Sequence, residues 1–516
     1  MLVNALGQPL VTTDRNGNTH TLTYDILGRV VSDAVTTLGS GVDGAVRRVE
    51  TAYDSQGNAY LLTNYDAASG GNIVTQVQRT YDGLGQLVTE YQSHGGAVNT
   101  GSTPRVQYAY STLDSNNRSR LTSVTYPNGR VITYNYATGL DSTISRLSSI
   151  SDGGTTLESY SYLGYGTVVS RAHPQPSVDL SYVKVSGESN GDAGDQYTGL
   201  DRFGRIVDQR WRTGSTNKDR LTYTYDRNGN RTAKTNTLSS SYSEVYTYDS
   251  LNQLSSFNRN SGARTQSWDY DALGNWDSVT TNGTAQTRTA NRQNEITSVS
   301  GATTPTYDAN GNMTKDETGK QFTFDAWNRL KVVKDSGGTT LKTYGYDALN
   351  RRVTETVGGT TTDLYYSSGW QVLEERVGGT ARVSYVWSPV YVDAMIARDR
   401  DSDANGSLEE RLYALHNANF NVTGLVNTSG TVVERYAYDA FGAVTVMNGS
   451  WTGIGSSAYA WEHYHQGLRL DIAGYDNRGR IYDPVLGRFR NLDPIRYQAG
   501  GREPLSLYEQ LSNRFR

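Results

Sequence analysis

Leu221-Thr-Tyr223-Thr-Tyr225-Asp226-Arg-Asn-Gly229-Asn230 is the stretch on which the fold turns. Leu221, Tyr223 and Tyr225 fall on one face of an extended segment and the threonines on the other, the period-two alternation of a strand. The run stops at Asp226-x-x-Gly229. An Asp at the first turn position can accept hydrogen bonds from backbone amides two or three residues on. The Gly stands where the chain needs a positive φ. A strand and the turn that ends it are thus written into one short segment.

The same unit recurs along the chain. Copies are Tyr24-Asp25-x-x-Gly28-Arg29, Tyr53-Asp54-x-x-Gly57-Asn58, Tyr81-Asp82-x-x-Gly85, Tyr270-Asp271-x-x-Gly274-Asn275, Tyr307-Asp308-x-x-Gly311-Asn312, Tyr438-Asp439-x-x-Gly442 and Tyr475-Asp476-x-x-Gly479-Arg480. Asp14-x-x-Gly17-Asn18 and Asp201-x-x-Gly204-Arg205 lack only the Tyr, and Asn4-Ala-Leu-Gly7 reads as the tail of a further turn. In Asp249-x-x-Asn252, Asp325-x-x-Asn328 and Asp347-x-x-Asn350 the Gly gives way to Asn, the side chain that best tolerates left-handed backbone. Internal repetition of this kind predicts a repeat architecture with two short strands and two turns per unit. Val131-Ile-Thr-Tyr134-Asn-Tyr136 alternates in the same way, and no long helix is expected.

Composition agrees. The 516 residues are 36% hydrophobic, yet include 38 Tyr and 54 Gly. A solid core needs side chains without polar atoms, whereas each Tyr hydroxyl asks for a partner or water. Thin sheets with a wet face suit this chain. A formal net charge of −4 gives no footprint for nucleic acid. With no Cys, disulfides and thiolate chemistry are excluded. No apolar run is long enough to span a bilayer, and the first residues lack the basic and apolar regions of a signal peptide.

On these motifs the chain resembles Rhs/YD-repeat proteins: bacterial polymorphic toxins, the C components of insecticidal toxin complexes, and teneurins. The resemblance implies an all-β fold, in which tandem YD hairpins form a spiralling β-sheet strip or hollow shell. It implies a repeat array over residues 1–435 and an Rhs-repeat-associated core over 436–516. Tyr436-Ala-Tyr438-Asp439-Ala-Phe-Gly442 looks like the start of that core, and Leu415-His416 to Leu425 like a degenerate strand before it. Arg480-Ile-Tyr482-Asp483-Pro484-Val-Leu-Gly487-Arg488-Phe489-Arg-Asn-Leu-Asp493-Pro494 matches the family pattern RxYDPxxGRFxxxDP.

In self-cleaving relatives the core is an aspartyl protease that acts once on its own chain. Carried over, Arg480 matches the essential arginine and Asp493 the first catalytic aspartate. Two close carboxylates share one proton, so that one serves as base and the other as acid. The family's second aspartate, in a later DPxG motif, has no counterpart: no Asp follows Asp493, Ile495 and Arg496 follow Pro494, and Glu503 and Glu509 come too early. Leu507-Tyr508 and Asn513 resemble the intervening strand. The expectation is a scaffold that has lost self-cleavage and is not a working enzyme, with Arg480, Asp483 and Asp493 left as turn and ion-pair residues.

Asp401, Asp403 and Asn405 before Gly406 have calcium-loop spacing, with Glu409 in place of an acid at the twelfth position, which is Leu412. His463-x-His465 would share one face of a strand, but two ligands are too few for zinc. The leading expectation is a structural shell fragment of a toxin-delivery or contact-dependent competition protein. Its parent would be secreted or on the cell surface, and its partners an enclosed effector domain or neighbouring shell segments. The alternative is a module binding glycans or cell-surface proteins through exposed Tyr and Asn/Asp loops. A self-processing protease is the third reading.

Overall fold

The computed structural model describes residues 1–112 and 119–493. Each strand pairs antiparallel with the next in sequence. The first strip has 24 strands, from Leu2–Val3 to Ile296–Val299, and the second has 14, from Thr306–Tyr307 to Val444–Asn448. A four-stranded unit from Arg469–Asp471 to Arg488–Phe489 follows. Helix among the described residues is limited to the turn Leu140–Thr143 and three 3-10 turns. The fold is the all-β strip expected from the repeats.

Most YD turns are built alike, and two expectations need correcting. Tyr475-Asp476 does not open such a turn: Asp476 lies inside the strand Gly474–Asn477, which pairs directly with the next strand through a bend at Arg478 (φ 58°) and not at Gly479. The other concerns the Asp bonds. The Asp carboxylate takes amides two and four residues on, not two and three. Asp54 Oδ1 accepts from Gln56 N (2.9 Å) and Asn58 N (2.8 Å). The third amide is already used, since Gly57 N donates to the Asp54 carbonyl at 3.1 Å. Gly57 has φ 90°, and the Asn substitutes do the same work: Asn252, Asn328 and Asn350 lie at φ 62°, 61° and 65°.

The fifth residue of the turn links it to its neighbours. Asn58 Nδ2 donates to Asp54 Oδ2 (3.0 Å), and Arg29 Nε to Asp25 Oδ2 (2.7 Å). The Arg29 guanidinium also covers the ring of Tyr53 in the next repeat, 3.8 Å from its centroid. Where the next turn carries Asn at positive φ, its carboxamide is the acceptor instead. Asn230 Nδ2 reaches Asn252 Oδ1 at 2.8 Å, and Asn312 Nδ2 reaches Asn328 Oδ1 at 2.8 Å. Asn at these positions therefore supplies a bond that Gly cannot.

The YD tyrosine has its own acceptor. Past most turns the ladder slips by one residue: Thr23 pairs with Ser32, but Tyr24 with Val30. This is a β-bulge, which sharpens the local twist. The hydroxyl of most of these tyrosines donates to the carbonyl just before the previous repeat's bulge: Tyr24 to Pro9 (2.7 Å), Tyr81 to Ala59 (2.8 Å), Tyr225 to Ile206 (2.7 Å) and Tyr346 to Leu330 (2.9 Å), whereas that of Tyr307 accepts from the Ile296 amide (3.1 Å). Phe would pack as well but leave that carbonyl bare. Trp387 replaces Tyr once and donates Nε1 to Val372 O at 2.7 Å.

The second strip lies along the first. The turn at 308–312 meets the turn at 14–18, where Asn310 Nδ2 donates to Asp14 Oδ2 (2.8 Å) and Asn16 Nδ2 to Asp308 Oδ2 (2.9 Å). Trp327 Nε1 then reaches Asp33 (2.8 Å), Asn64 reaches Tyr346 O (2.9 Å), and Tyr126 OH reaches Tyr385 O (2.8 Å). Arg259 ends the series on Tyr438 O. The second strip uses residues 308–438 to follow a contour that takes the first strip 14–259. Two laps of a tightening spiral result. The main buried cluster lies between them, with Val106, Ile132, Ile150 and Trp211 of the first lap against Ile396, Leu412, Leu415 and Leu425 of the second.

Candidate functional site

The seam between laps is built from polar side chains buried in the first strip. Gln92 is 1% exposed. It donates Nε2 to the Tyr366 carbonyl (2.7 Å) and accepts from the Tyr366 amide (2.9 Å). Gln209 Nε2 and Trp211 Nε1 both donate to His416 O, at 2.6 and 2.8 Å. The acceptors Tyr346, Tyr366, Tyr438 and His416 all occupy the residue before a turn. These second-lap repeats each offer one backbone carbonyl to the first lap. Charge joins the laps as well: Glu90 and Arg351, almost fully buried, pair at 2.7 Å.

The four-stranded unit closes against the second strip and the last strand of the first. Ala473 and Ile481 complete the cluster of Phe322, Phe324 and Leu330, and Leu486 completes that of Ile296, Val299 and Met313. Arg352 pairs with Asp471 at 3.0 Å, and Arg469 with Glu355 at 3.2 Å. Burial is the largest influence on Glu355 and pushes its carboxyl up, but Arg469, Arg352 and Lys342 outweigh it and bring it to about 2.

Within this unit the structure brings Arg480 and Asp493 together. Arg480 opens the strand Arg480–Asp483. Its guanidinium stacks on Phe489, 3.6 Å from the centroid, and its Nη1 lies 3.2 Å from Asp493 Oδ2. Both side chains are largely buried. Burial pushes the Arg480 pKa down, against the opposing charge of Asp493. Asp483 has a turn role: its Oδ1 takes the Val485 and Leu486 amides, and its Oδ2 takes Arg490 Nη2 at 2.6 Å. Pro494, Ile495, Arg496, Glu503, Leu507, Tyr508, Glu509 and Asn513 lie outside the described residues.

The acidic loop is assembled too. Ligand oxygens of Asp401, Asp403 and Glu409 lie within 4.8 Å of one another, the only such group of three among the described residues. Asn405 Nδ2 donates to Asp403 Oδ2 at 3.0 Å. The His463/His465 pair does not share a strand face: His465 begins a 3-10 turn that swings it away. His463 lies among Tyr385, Trp387 and Trp461, and His465 among Tyr438, Tyr475 and Tyr482. The glycan reading loses its main surface, because YD hydroxyls are spent on backbone carbonyls and several rings lie under arginines.

A two-lap strip of YD hairpins, zipped along a polar seam and closed by a C-terminal unit, defines a YD-type β-shell. The chain belongs to the Teneurin YD-shell family, which matches it over residues 185–499. Among curated proteins it is similar to the tRNA nuclease WapA of Bacillus subtilis (strain 168), 28% identical over 209 residues, covering 40% of this chain and 8% of WapA. It is also similar to the double-stranded DNA deaminase toxin A of Burkholderia cenocepacia (strain H111), at 27% over 227 residues, 38% of this chain and 15% of that protein. The Photorhabdus luminescens Tc holotoxin pore superposes with a TM-score of 0.68 at 17% identity, over 97% of this chain and 27% of that one. The TcdB2-TccC3 crystal structure gives 0.65 at 16%, over 95% and 28%. This chain therefore spans under a third of each of these proteins. No helix among the described residues is long and apolar enough to cross a membrane.

Proposed function

We propose that the chain is a wall segment of an Rhs-type toxin shell, which encloses an effector polypeptide for delivery or contact-dependent competition. The carrying observation is the seam. A wall has to hold one lap to the next at every repeat, and here buried Gln, Asn, Trp and Arg side chains do so. The toxin relatives support the same reading. The parent is secreted or displayed on the cell surface, and its partners are the enclosed effector and neighbouring shell segments. Electron microscopy of the product of the full reading frame is expected to show a hollow particle with density inside it. A solid particle would defeat the proposal.

We further propose that Arg480 and Asp493 act within these 516 residues as a structural ion pair: a proton-sharing site sets a second carboxylate against the first, and here the Arg480 guanidinium lies against Asp493 at 3.2 Å. Mass spectrometry after prolonged incubation is expected to find one species of 56.7 kDa. Accumulation of a discrete C-terminal fragment would restore the protease reading.

A further inference from the structure

The loop 401–409 joins the strands Met395–Arg400 and Glu410–His416 of the second strip. Charge is balanced beside the loop but not inside it. Arg398 and Arg400 hold Glu410, while Arg130 and Arg411 hold Asp399. Within the loop Asp401, Asp403 and Glu409 converge. The cation recorded against them, among the described residues, is Arg382 on Asp401 Oδ2. Three carboxylates facing one guanidinium leave two negative charges uncompensated.

Asp401 provides an independent sign of a missing ligand. Its side chain is fully buried. Its Oδ2 takes Arg382 and the Gly406 amide (3.0 Å), while its Oδ1 is shielded from water and completes no hydrogen bond, although the Asn405 amide lies against the carboxylate. A carboxylate oxygen removed from water and left without a hydrogen bond is costly unless a cation meets it.

We propose that this loop is a calcium site, in which the side-chain oxygens of Asp401, Asp403, Asn405 and Glu409 and the Ser407 carbonyl are the protein ligands, with water completing the shell. The spacing supports it. Acids and amide alternate at positions one, three and five, and Gly406, with φ 94°, makes the bend at six. An oxygen-only donor set suits a hard cation rather than zinc or copper. The twelfth position, which would supply a bidentate acid, is Leu412, buried in the following strand. The site therefore falls in the weak class of about 10⁻⁴–10⁻³ M, matched to extracellular calcium.

The test is calorimetric titration of the whole chain with calcium chloride after chelator treatment. Saturable binding is expected at about 0.1–1 mM, with magnesium at least about tenfold weaker because it demands rigid octahedral geometry and keeps its waters. Asp403→Asn is expected to weaken calcium roughly tenfold through loss of a charged ligand, without moving the calcium-free melting temperature, since Asp403 is exposed and its recorded bonds stay within the loop. Glu409→Gln serves as the second variant with the same expectation. No saturable heat up to about 10 mM, above the weakest class of such loops, would overturn the site. So would superimposable titrations of wild type and both variants, or magnesium binding as tightly as calcium.

Discussion

The same turn is solvated in the first lap and buried in the second. In Asp25-Ile26-Leu27-Gly28-Arg29 the ends Asp25 and Arg29 are half-buried and the tip residues Ile26 and Leu27 are 102% and 72% exposed, whereas in the second-lap turn 347–351 the ends Asp347 and Arg351 are 1% exposed and the tip residues Ala348 and Leu349 half-buried. Their internal bonds are the same: Arg29 Nε to Asp25 Oδ2 and Arg351 Nε to Asp347 Oδ2 are both 2.7 Å. What differs is the surface against the tip. Second-lap tips meet first-lap strands, as when Phe441 packs on Trp268 and Trp276 at 5.1 and 4.6 Å. The YD motif thus specifies a hairpin, and residues outside it decide whether the hairpin is wall edge or seam.

The sharpest way to break this comparison is to remove the same guanidinium from both turns. Arg351→Ala takes a buried partner from Asp347 of its own turn and from Glu90 of the other lap, which keeps only Arg79 as its cation among the described residues. Breaking a buried pair from one side costs about 3–5 kcal/mol. Arg29→Ala, whose side chain is 30% exposed, is expected to cost about 1 kcal/mol or less. Urea unfolding measures both, and equal losses would mean that the seam does not hold the laps together.

Acid should act on the seam before it acts on the edge. His173 and His416 lie in the buried region where Trp211 and Tyr413 meet. Burial lowers both pKa values, Arg171 lowers that of His416 further, and Glu158 opposes the shift at His173. In the closing region burial brings His463 to about 3 and His465 to about 4. All four stay neutral in the folded state, while the unfolded chain takes up protons below about pH 6.5. Stability is therefore complete above that pH and falls below it, by up to about 1.4 kcal/mol per pH unit for each histidine. His20, beside Asp33 on the first lap, runs the other way: burial lowers its pKa, but Asp33 raises it more. Urea midpoints at pH 7.5 and 5.5 (chosen to bracket the free imidazole) check this, and His416→Leu should flatten the fall by about one histidine's share. A flat wild-type profile would contradict it.

Gln92→Leu isolates the seam without changing charge. It leaves the Tyr366 amide and carbonyl without their Gln92 partner, and each buried group left bare costs about 1–3 kcal/mol. This residue also marks where sequence reading stops. The hairpins, the Asp–Gly turns and the Asn substitutions are local, so the chain declares them within a few residues. Asn291-x-x-Asn294, Ser367-x-x-Trp370 and Asn417-x-x-Phe420 escape notice because neither the Asp nor the Gly survives, yet Asn294, Trp370 and Phe420 lie at φ 61°, 66° and 58°. Gln92 and Gln209 look like wet-face strand residues, since their acceptors are more than 200 positions away. Arg480 and Asp493 are recognisable only through the family pattern, and the fold sets them 3.2 Å apart. The acidic loop shows its spacing in sequence, but the bare Oδ1 of Asp401 exists only in the fold.

The smallest effect tests the motif itself. Tyr→Phe removes one hydroxyl and keeps the ring, so it reports only the bond to the carbonyl beside the bulge. At Tyr346 that bond, 2.9 Å to Leu330 O, is buried. Water cannot replace the lost donor there, and about 1–2 kcal/mol is expected. At Tyr24 the bond to Pro9 O is shorter, 2.7 Å, but only partly buried, so water can take the place of the hydroxyl and the loss should be about 0.5 kcal/mol. The prediction sets burial against bond length. If Tyr24→Phe costs as much as Tyr346→Phe in urea unfolding, or more, the hydroxyl works mainly by shaping the bulge, and burial does not set what the motif contributes in each lap.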